Sequence, residues 1–259
     1  MNGAANNTWY ERYFGPDYLL IDLHRDTERE VEFIWKVLGL GKGARMLDAG
    51  CGYGRHLVPL AMQGARIVGY DLSAFMLAEA AKRIRGEAER VPFLKRRVSL
   101  VQCDHRMLPF SRTFDCAINM FNSFGYFAEE HDNFRMLMEI ARILVHGGLF
   151  LIDLVNRDFV IRNLSRKDWF EHDGAVILEK KEFDPFTNRT EIDVSVVDKW
   201  GKRDYHHSIR LYSYTEMVML LEAAGFRVVA VFGGFGGEIF ELNRDRMVIL
   251  SQSLRTEDE

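Results

Sequence analysis

The chain has 259 residues, of which 47% are hydrophobic and 28% charged, a composition that can bury one large core and argues against gross disorder. Its formal net charge of −4 gives no global positive field for a nucleic-acid backbone, and no run of about 18 apolar residues is present to cross a membrane. We expect no signal peptide, and three cysteines without CxxC spacing (Cys51, Cys103 and Cys116) predict a reducing, cytoplasmic location.

The chain begins with small and polar residues, so we expect residues 1–8 to be frayed. Apolar residues at helical spacing then predict a helix from about Tyr18 to Leu38, ended by glycines. We expect this segment to form an N-terminal helical cover. An aromatic cluster leads into this helix: Trp9, Tyr10, Tyr13, Phe14 and Tyr18.

The middle of the chain alternates between strand and helix patterns, which predicts a doubly wound α/β domain with helices on both faces of a mostly parallel sheet. The predicted strands cover residues 45–49, 66–70, 98–102, 114–120 and 149–155, and the predicted helices cover 54–63, 73–85 and 129–144. We expect the run His146-Gly147-Gly148 to separate the last helix from the last strand.

After Asn156 the pattern becomes antiparallel, with apolar and polar residues alternating as in half-buried strands. Three strands at 176–183, 190–200 and 204–212 predict an inserted three-stranded meander. A helix at 215–224 and strands at 226–232 and 247–251 complete the pattern. We therefore expect a cover segment at 1–43, a core at 44–156 and 213–253, and an insert at 157–212 that forms part of a substrate pocket.

A glycine-rich loop follows the first predicted strand. Gly50, Gly52 and Gly54 have the spacing Gly-x-Gly-x-Gly rather than the Gly-x-Gly-x-x-Gly of dinucleotide sites. Asp48 stands at the strand end beside this loop. A carboxylate there would repel a pyrophosphate but attract the ammonium of an amino-acid moiety.

Two more acids end the next two strands, Asp71 and Asp104. At the carboxyl edge of a doubly wound sheet, the first could accept ribose hydroxyls and the second an adenine amino group. Each acid alone could instead be a helix cap, a turn residue or part of a loop. Three of them in register with a glycine loop favour a nucleoside-containing ligand.

The stretch Leu47–His56, with Asp71 and Asp104, resembles the cofactor site of class I S-adenosylmethionine-dependent methyltransferases. Residues 114–119 and 144–150 resemble that family's fourth strand and its entry into the fifth. The resemblance implies a Rossmann-like, seven-stranded methyltransferase fold, with 247–251 as the antiparallel seventh strand. It also implies S-adenosylmethionine as cofactor and S-adenosylhomocysteine as product. The residues expected to bind the cofactor are Asp48, Gly50, Cys51, Gly52, Arg55, Asp71, Leu72, Met76, Asp104, His105 and Met120.

Departures from the family's patterns narrow the chemistry. The run Asn119-Met120-Phe121-Asn122 lacks the two prolines of members that methylate amino-adenine or amide groups. Asp153 and Asn156 are not the adjacent pair that binds metal in catechol-type members, and the histidines have no recognisable ligand spacing, so we expect no metal.

The meander and residues 211–215 look like small-molecule N-methyltransferases, including the amino-sugar N,N-dimethyltransferases. This implies a small-molecule acceptor, methylated at nitrogen. We expect a monomer or homodimer, and the charge and hydropathy given above predict neither nucleic-acid nor membrane partners. Asn122, Tyr126 and Tyr13 are expected to position the acceptor. His206 and His207 point to opposite faces of their strand, so at most one should face the pocket, and both could face solvent. We also expect a glycine-rich loop at 233–238 to close over the site together with residues 9–18; these aromatics could instead be ordinary core.

Other functions remain open at this point. The basic stretch from Lys82 to Arg97 could dock RNA or a protein substrate of a methyltransferase. We favour a solvated helix end and loop, because aromatic residues for base stacking are almost absent there. A nicotinamide-dependent oxidoreductase and a non-catalytic cofactor binder are the remaining alternatives.

Overall fold

The computed structural model describes residues 9–23 and 26–255, so the fraying predicted for residues 1–8 lies outside the described residues. The helices of the described residues are α1 Trp9–Tyr13, α2 Tyr18–Ile21, α3 Thr27–Leu38, α4 Leu57–Gln63, α5 Ala74–Arg90, α6 Glu130–Ile143, α7 Arg157–Asn163 and α8 Tyr214–Ala223, with a 3₁₀ turn at Pro92–Arg96.

Seven strands of the described residues form the main sheet. They are β1 Arg45–Ala49, β2 Arg66–Asp71, β3 Val98–Gln102, β4 Phe114–Asn119, β5 Leu144–Val155, β10 Phe226–Phe232 and β11 Arg246–Ser253. Their order is β10-β11-β5-β4-β1-β2-β3. Only β11 runs antiparallel to its neighbours β5 and β10, while the other pairs are parallel. The predicted doubly wound fold and its antiparallel last strand are therefore confirmed.

The sheet is buried on both faces, which explains why its central strands have almost continuous apolar sequences. One hydrophobic cluster packs side chains of α6 and α8, such as Leu137 and Leu221, against the sheet. The other packs Ile34 of α3 and Leu60 of α4 against the opposite face. Because β1 is central, its carboxyl end meets the ends of β2 and β4, which brings the strand-end acids to one edge.

The second sheet has four antiparallel strands, not the three predicted. Its order is β6-β7-β8-β9, with β6 Lys167–His172, β7 Ala175–Asp184, β8 Arg189–Asp198 and β9 Gly201–Arg210. The strand that was missed, β6, is an edge strand whose residues are exposed or half-buried. Its adjacent apolar residues Trp169 and Phe170 point to opposite faces, so the sequence lacks the apolar and polar alternation that marks a half-buried strand.

Two further boundaries differ from the prediction. The helix expected from Tyr18 to Leu38 is two helices, because Asp22 adopts an extended backbone that ends α2. The expected break at His146-Gly147-Gly148 lies inside β5, where the pairing with β4 shifts register. A bulge absorbs the glycines without ending the strand.

Candidate functional site

A cavity of about 810 Å³ opens at the carboxyl edge of the main sheet. Its floor comes from the ends of β1, β2 and β4 and the loops after them, and α1 and β9 supply residues of the other walls. All eleven residues predicted to bind the cofactor line this one cavity: Asp48, Gly50, Cys51, Gly52, Arg55, Asp71, Leu72, Met76, Asp104, His105 and Met120.

The glycine loop crosses the floor of the cavity in left-handed conformations. Gly50 has φ of 75° and Gly52 has φ of 53°, values that favour glycine. A Cβ on Gly50 would lie 3.0 Å from Cβ of Ser123, whereas a Cβ on Gly52 would meet no atom within 4 Å. At Gly52 the missing side chain therefore leaves free space beside a potential ligand.

Asp71 is held in place by the loop and by the helix that follows it. Its Oδ2 accepts the Gly52 N–H at 2.9 Å and its Oδ1 accepts the Ser73 N–H at 2.8 Å. Desolvation raises the pKa of this carboxyl, and the backbone hydrogen bonds oppose that rise. Each oxygen retains a lone pair, so the fixed carboxylate can accept two ribose hydroxyls.

Asp48 and Arg55 each keep one buried polar atom without a hydrogen-bond partner among the described residues. These atoms are Oδ2 of Asp48 and Nη2 of Arg55. Burial raises the pKa of Asp48 to about 7, although the charge of Arg55 opposes this. Unsatisfied buried groups are costly, so the pair indicates a ligand that brings a cation to Asp48 and an anion to Arg55. The ammonium and carboxylate of the methionine moiety of S-adenosylmethionine fit this requirement.

Asp104 and His105 lie on the side of the cavity formed by the end of β3. Both oxygens of Asp104 accept hydrogen bonds from Arg106, at 2.8 to 3.0 Å, and Arg106 also donates to Asp132 at 2.9 Å. His105 Nδ1 lies 2.8 Å from the hydroxyl of Tyr70. Burial lowers the pKa of His105 to about 4, so its imidazole is neutral at neutral pH. This side of the cavity thus offers a fixed carboxylate that can accept from an amino group, and an uncharged ring that can pack against a purine.

Comparison with known proteins supports this interpretation of the cavity. Residues 46–148 match a family model described as a methyltransferase domain. The dTDP-3-amino-3,4,6-trideoxy-alpha-D-glucopyranose N,N-dimethyltransferase of Streptomyces venezuelae is 27% identical over 216 residues, which cover 76% of this chain and 81% of that protein. This chain is a class I S-adenosylmethionine-dependent methyltransferase.

Two further similarities place the methyltransferase among related proteins. A glycine/sarcosine N-methyltransferase of Aphanothece halophytica is 31% identical over 144 residues, which cover 55% of this chain and 52% of that protein. The chain thus spans about half the length of that relative. The crystal structure of an S-adenosylmethionine-dependent methyltransferase from Clostridium acetobutylicum shares the fold, with a TM-score of 0.78 at 20% identity, over 95% of this chain and 98% of that one.

Beyond the cofactor residues, the methyltransferase cavity continues into a group of four rings that we call the aromatic chamber: Trp9, Phe14, Tyr126 and His207. Tyr126 lies at its centre, with its ring centroid 5.5 Å from that of Trp9, 5.7 Å from that of Phe14 and 6.2 Å from that of His207. The predicted acceptor residue Tyr126 therefore lies on the cavity wall.

The other two predicted acceptor residues of the methyltransferase do not line the cavity. Asn122 has a φ of 60°, and its Oδ1 accepts the Val155 N–H at 3.1 Å, so this side chain ties the loop after β4 to β5. Tyr13 is buried behind His207, with ring centroids 4.2 Å apart, because α1 turns this side chain toward the second sheet. These two side chains therefore lie outside the cavity lining, and their role in positioning an acceptor stays a prediction.

His206 and His207 lie on opposite faces of β9, as strand geometry requires. His207 is buried against Tyr13, whereas the ring of His206 is exposed and lies 2.8 Å from a carboxylate oxygen of Asp193. Both residues nevertheless border the cavity, contrary to the expectation that at most one would face it; β9 is the edge strand of its sheet. Burial lowers the pKa of His207 to about 4, so this ring is neutral at neutral pH.

The loop at 233–238 does not line the cavity, contrary to expectation. Phe235 packs on Phe33 of α3 and on Phe121, with centroids 5.7 and 6.0 Å apart. Glu238 pairs with Arg29 of α3 at 2.8 Å. These contacts hold the loop against α3 and against the segment that follows β4. In contrast, α1, the turn after it and the start of α2 do border the cavity, through Trp9, Tyr10, Phe14 and Tyr18.

Sequence reasoning missed several cavity residues of the methyltransferase, among them Arg106 and Arg189. Arg106 could have been found, since it follows Asp104 by two residues. Arg189 enters from β8, far along the chain, and no local pattern marks it.

Within the described ranges, no group of three or more His, Cys, Asp or Glu side chains is placed to hold a metal. In the same ranges, no helix is both long enough and apolar enough to cross a membrane.

Proposed function

We propose that this methyltransferase transfers the methyl group of S-adenosylmethionine to an amine nitrogen of a small molecule. The observation that carries the proposal is the continuity of the cavity, which runs from the cofactor residues into the aromatic chamber without a break. An extended polymer would need an open groove, whereas this cavity passes beneath α1. The names of the two relatives given above, both N-methyltransferases, support nitrogen as the acceptor atom.

S-adenosylmethionine, when bound, would supply an electrophilic methyl group. An amine lone pair could attack its carbon in line as the carbon–sulfur bond breaks, which would leave S-adenosylhomocysteine and the methylated ammonium. The protein's contribution is then to hold the acceptor and to exclude water, since orientation can supply effective molarities of about 10⁵–10⁸ M. Asp48 and Arg55 would hold the methionine end, and Asp71 the ribose. Trp9 and Phe14 of the chamber would exclude water.

The ionisation of the chamber residues sets the form in which an amine can react. Burial raises the pKa of Tyr126 well above that of a free tyrosine, so the phenol stays protonated. The neutral imidazole of His207 can accept a hydrogen bond, but its lowered pKa makes it a weak base. We therefore propose that the amine enters as the free base, and that Tyr126 positions it by a hydrogen bond rather than by full proton transfer.

Arg189 indicates an anionic group on the acceptor. Its guanidinium lines the cavity, and its hydrogen bonds go to Ser208 and to the Phe127 carbonyl rather than to a carboxylate. Burial lowers the pKa of Arg189, as expected for a cation whose charge is incompletely balanced. Two of its five N–H groups remain for a ligand. We propose that they bind a carboxylate or phosphate of the acceptor, and that residues 157–212 act as the acceptor-binding insert.

The RNA alternative lacks comparable support. The basic stretch from Lys82 to Arg97 lies on α5 and the 3₁₀ turn, and none of its residues borders the cavity.

A release assay for S-adenosylhomocysteine separates the alternatives, with amines, amino acids, amino sugars and RNA as candidate acceptors. We expect release with at least one small amine, and none from an Asp71→Ala variant. Release with RNA alone would contradict the proposal.

A further inference from the structure

Glu30 is a buried carboxylate on α3, outside the glycine loop. Its exposed fraction is 2%, among apolar neighbours such as Val31 and Ile34. Burial alone would raise its pKa, but the hydrogen bond with His56 and the charge of Arg55 outweigh burial and lower the pKa. Glu30 therefore stays ionised inside the protein. A buried ion is expensive, so a role beyond stability is a reasonable hypothesis for it.

Both partners of Glu30 are consecutive residues at the end of the glycine loop. Arg55 donates through Nη1 to Oε2 of Glu30, and His56 Nε2 lies 2.8 Å from the same oxygen. Nη1 of Arg55 also donates to Oγ1 of Thr27 at 3.1 Å. Thr27 and Glu30 lie three residues apart and so on the same face of α3. One helix face thus holds one end of the guanidinium.

The remaining contacts of Arg55 fix its plane. The guanidinium carbon lies 3.7 Å from the centroid of the Phe121 ring, so one face is covered. Nη2 is buried and has no hydrogen-bond partner in the described part of the chain. Arg55 borders the cavity together with Asp48. Because side chains of α3 bind Nη1, Nη2 is the guanidinium nitrogen that remains to bind a ligand.

We propose that Glu30 is a positioning residue for the cofactor, which holds Arg55 so that Nη2 can bind the α-carboxylate of S-adenosylmethionine. The proposal rests on the assignment of this cavity as the cofactor site. It predicts which ligands should bind more weakly when Glu30 is changed. Loss of the Glu30 charge should weaken ligands that carry the amino-acid end, and should spare ligands that consist of the adenosine and thioether alone.

Calorimetric measurement of the affinity for two ligands tests this prediction. S-adenosylhomocysteine carries the amino-acid end, and 5′-methylthioadenosine lacks it. For Glu30→Gln we expect the Kd of S-adenosylhomocysteine to rise at least tenfold and that of 5′-methylthioadenosine to change less than threefold. Glu32→Gln, on the exposed side of the same helix, is the matched control and should change neither value.

A purely structural role for Glu30 would weaken both ligands alike, and that result, or no weakening at all, would overturn the proposal. Thr27→Val is a second, milder variant that removes the other contact of Nη1. It should weaken S-adenosylhomocysteine two- to fivefold with no change for 5′-methylthioadenosine, and it decides the question if Glu30→Gln does not fold. A wild-type protein that binds neither ligand would instead contradict the cofactor site itself.

Discussion

Gly125 and Arg210 join the main domain to the second sheet through direct backbone contact. The Arg210 N–H donates to the Gly125 carbonyl at 2.9 Å, and a Cβ built on Gly125 would lie 2.5 Å from the Arg210 carbonyl oxygen. Gly125 follows β4 and has φ of 97°, and Arg210 ends β9. The acceptor side of the cavity thus depends on a contact that only glycine permits.

We expect Gly125→Ala to push β9 away from the loop after β4, because the opposing atom is backbone and cannot rotate aside. The acceptor kcat/KM should fall at least tenfold, while the affinity for S-adenosylhomocysteine stays within threefold. Gly86→Ala is the control, since Gly86 lies in α5 and a Cβ there would meet no atom within 4 Å. Equal kinetics of the two variants would show that this contact does not shape the acceptor side.

A second pair of glycines separates backbone strain from ligand contact. Gly52 on the cavity floor and Gly174 in the β6–β7 turn both have positive φ, and neither has an atom within 4 Å of a Cβ. Valine should therefore impose a similar strain at both sites, about 1–2 kcal/mol. Only Gly52→Val should also abolish binding of S-adenosylhomocysteine in calorimetry. Normal binding by a folded Gly52→Val variant would mean that the glycine merely tightens a turn.

Binding of S-adenosylhomocysteine should depend on pH through Asp48. Its pKa of about 7 in the free protein means that it is half protonated near neutrality. The ligand's ammonium pairs with the ionised form only, so affinity should fall by up to tenfold per pH unit below pH 7 and level off above pH 8. His105 and His207, with pKa values of about 4, do not titrate in this range. Asp48→Asn should bind weakly with a flat profile between pH 6 and 8, and a slope retained by that variant would exclude Asp48 as its source.

The proposed anion contact predicts a selective effect of Arg189→Gln. With an acceptor amine that carries a carboxylate or phosphate, KM should rise at least tenfold, because a buried charge-assisted hydrogen bond is lost. With a matched neutral amine, such as the amide of the same acid, KM should change less than threefold. Steady-state release of S-adenosylhomocysteine provides the measurement. An equal rise in KM for both members of the pair would mean that Arg189 only braces β8.

The cofactor side of the site could be predicted from the sequence because its signals are local. Asp48, Asp71 and Asp104 each lie within two residues of the carboxyl end of a strand, and the glycine loop begins two residues after Asp48. Parallel topology then brings the three acids to one edge without further information. For the same reason, the strands β1, β2, β3 and β4 were located to within one residue at each end.

The acceptor side could not be predicted in the same way, because it is assembled from distant segments. Trp9 and Tyr126 lie in contact although 117 positions separate them in the numbering, and Arg189 comes from an insert with no motif. Asn122 looked like a pocket residue from its place after β4. Its left-handed backbone instead turns the side chain toward Val155, and no sequence pattern predicted that conformation.

A crystal structure of the protein with bound S-adenosylhomocysteine would show directly whether the cavity is the cofactor site. We expect the α-ammonium on Asp48, the α-carboxylate on Nη2 of Arg55, the ribose hydroxyls on Asp71, and the sulfur facing the aromatic chamber. A ligand bound elsewhere, or one whose amino-acid end points away from Asp48 and Arg55, would contradict this expectation.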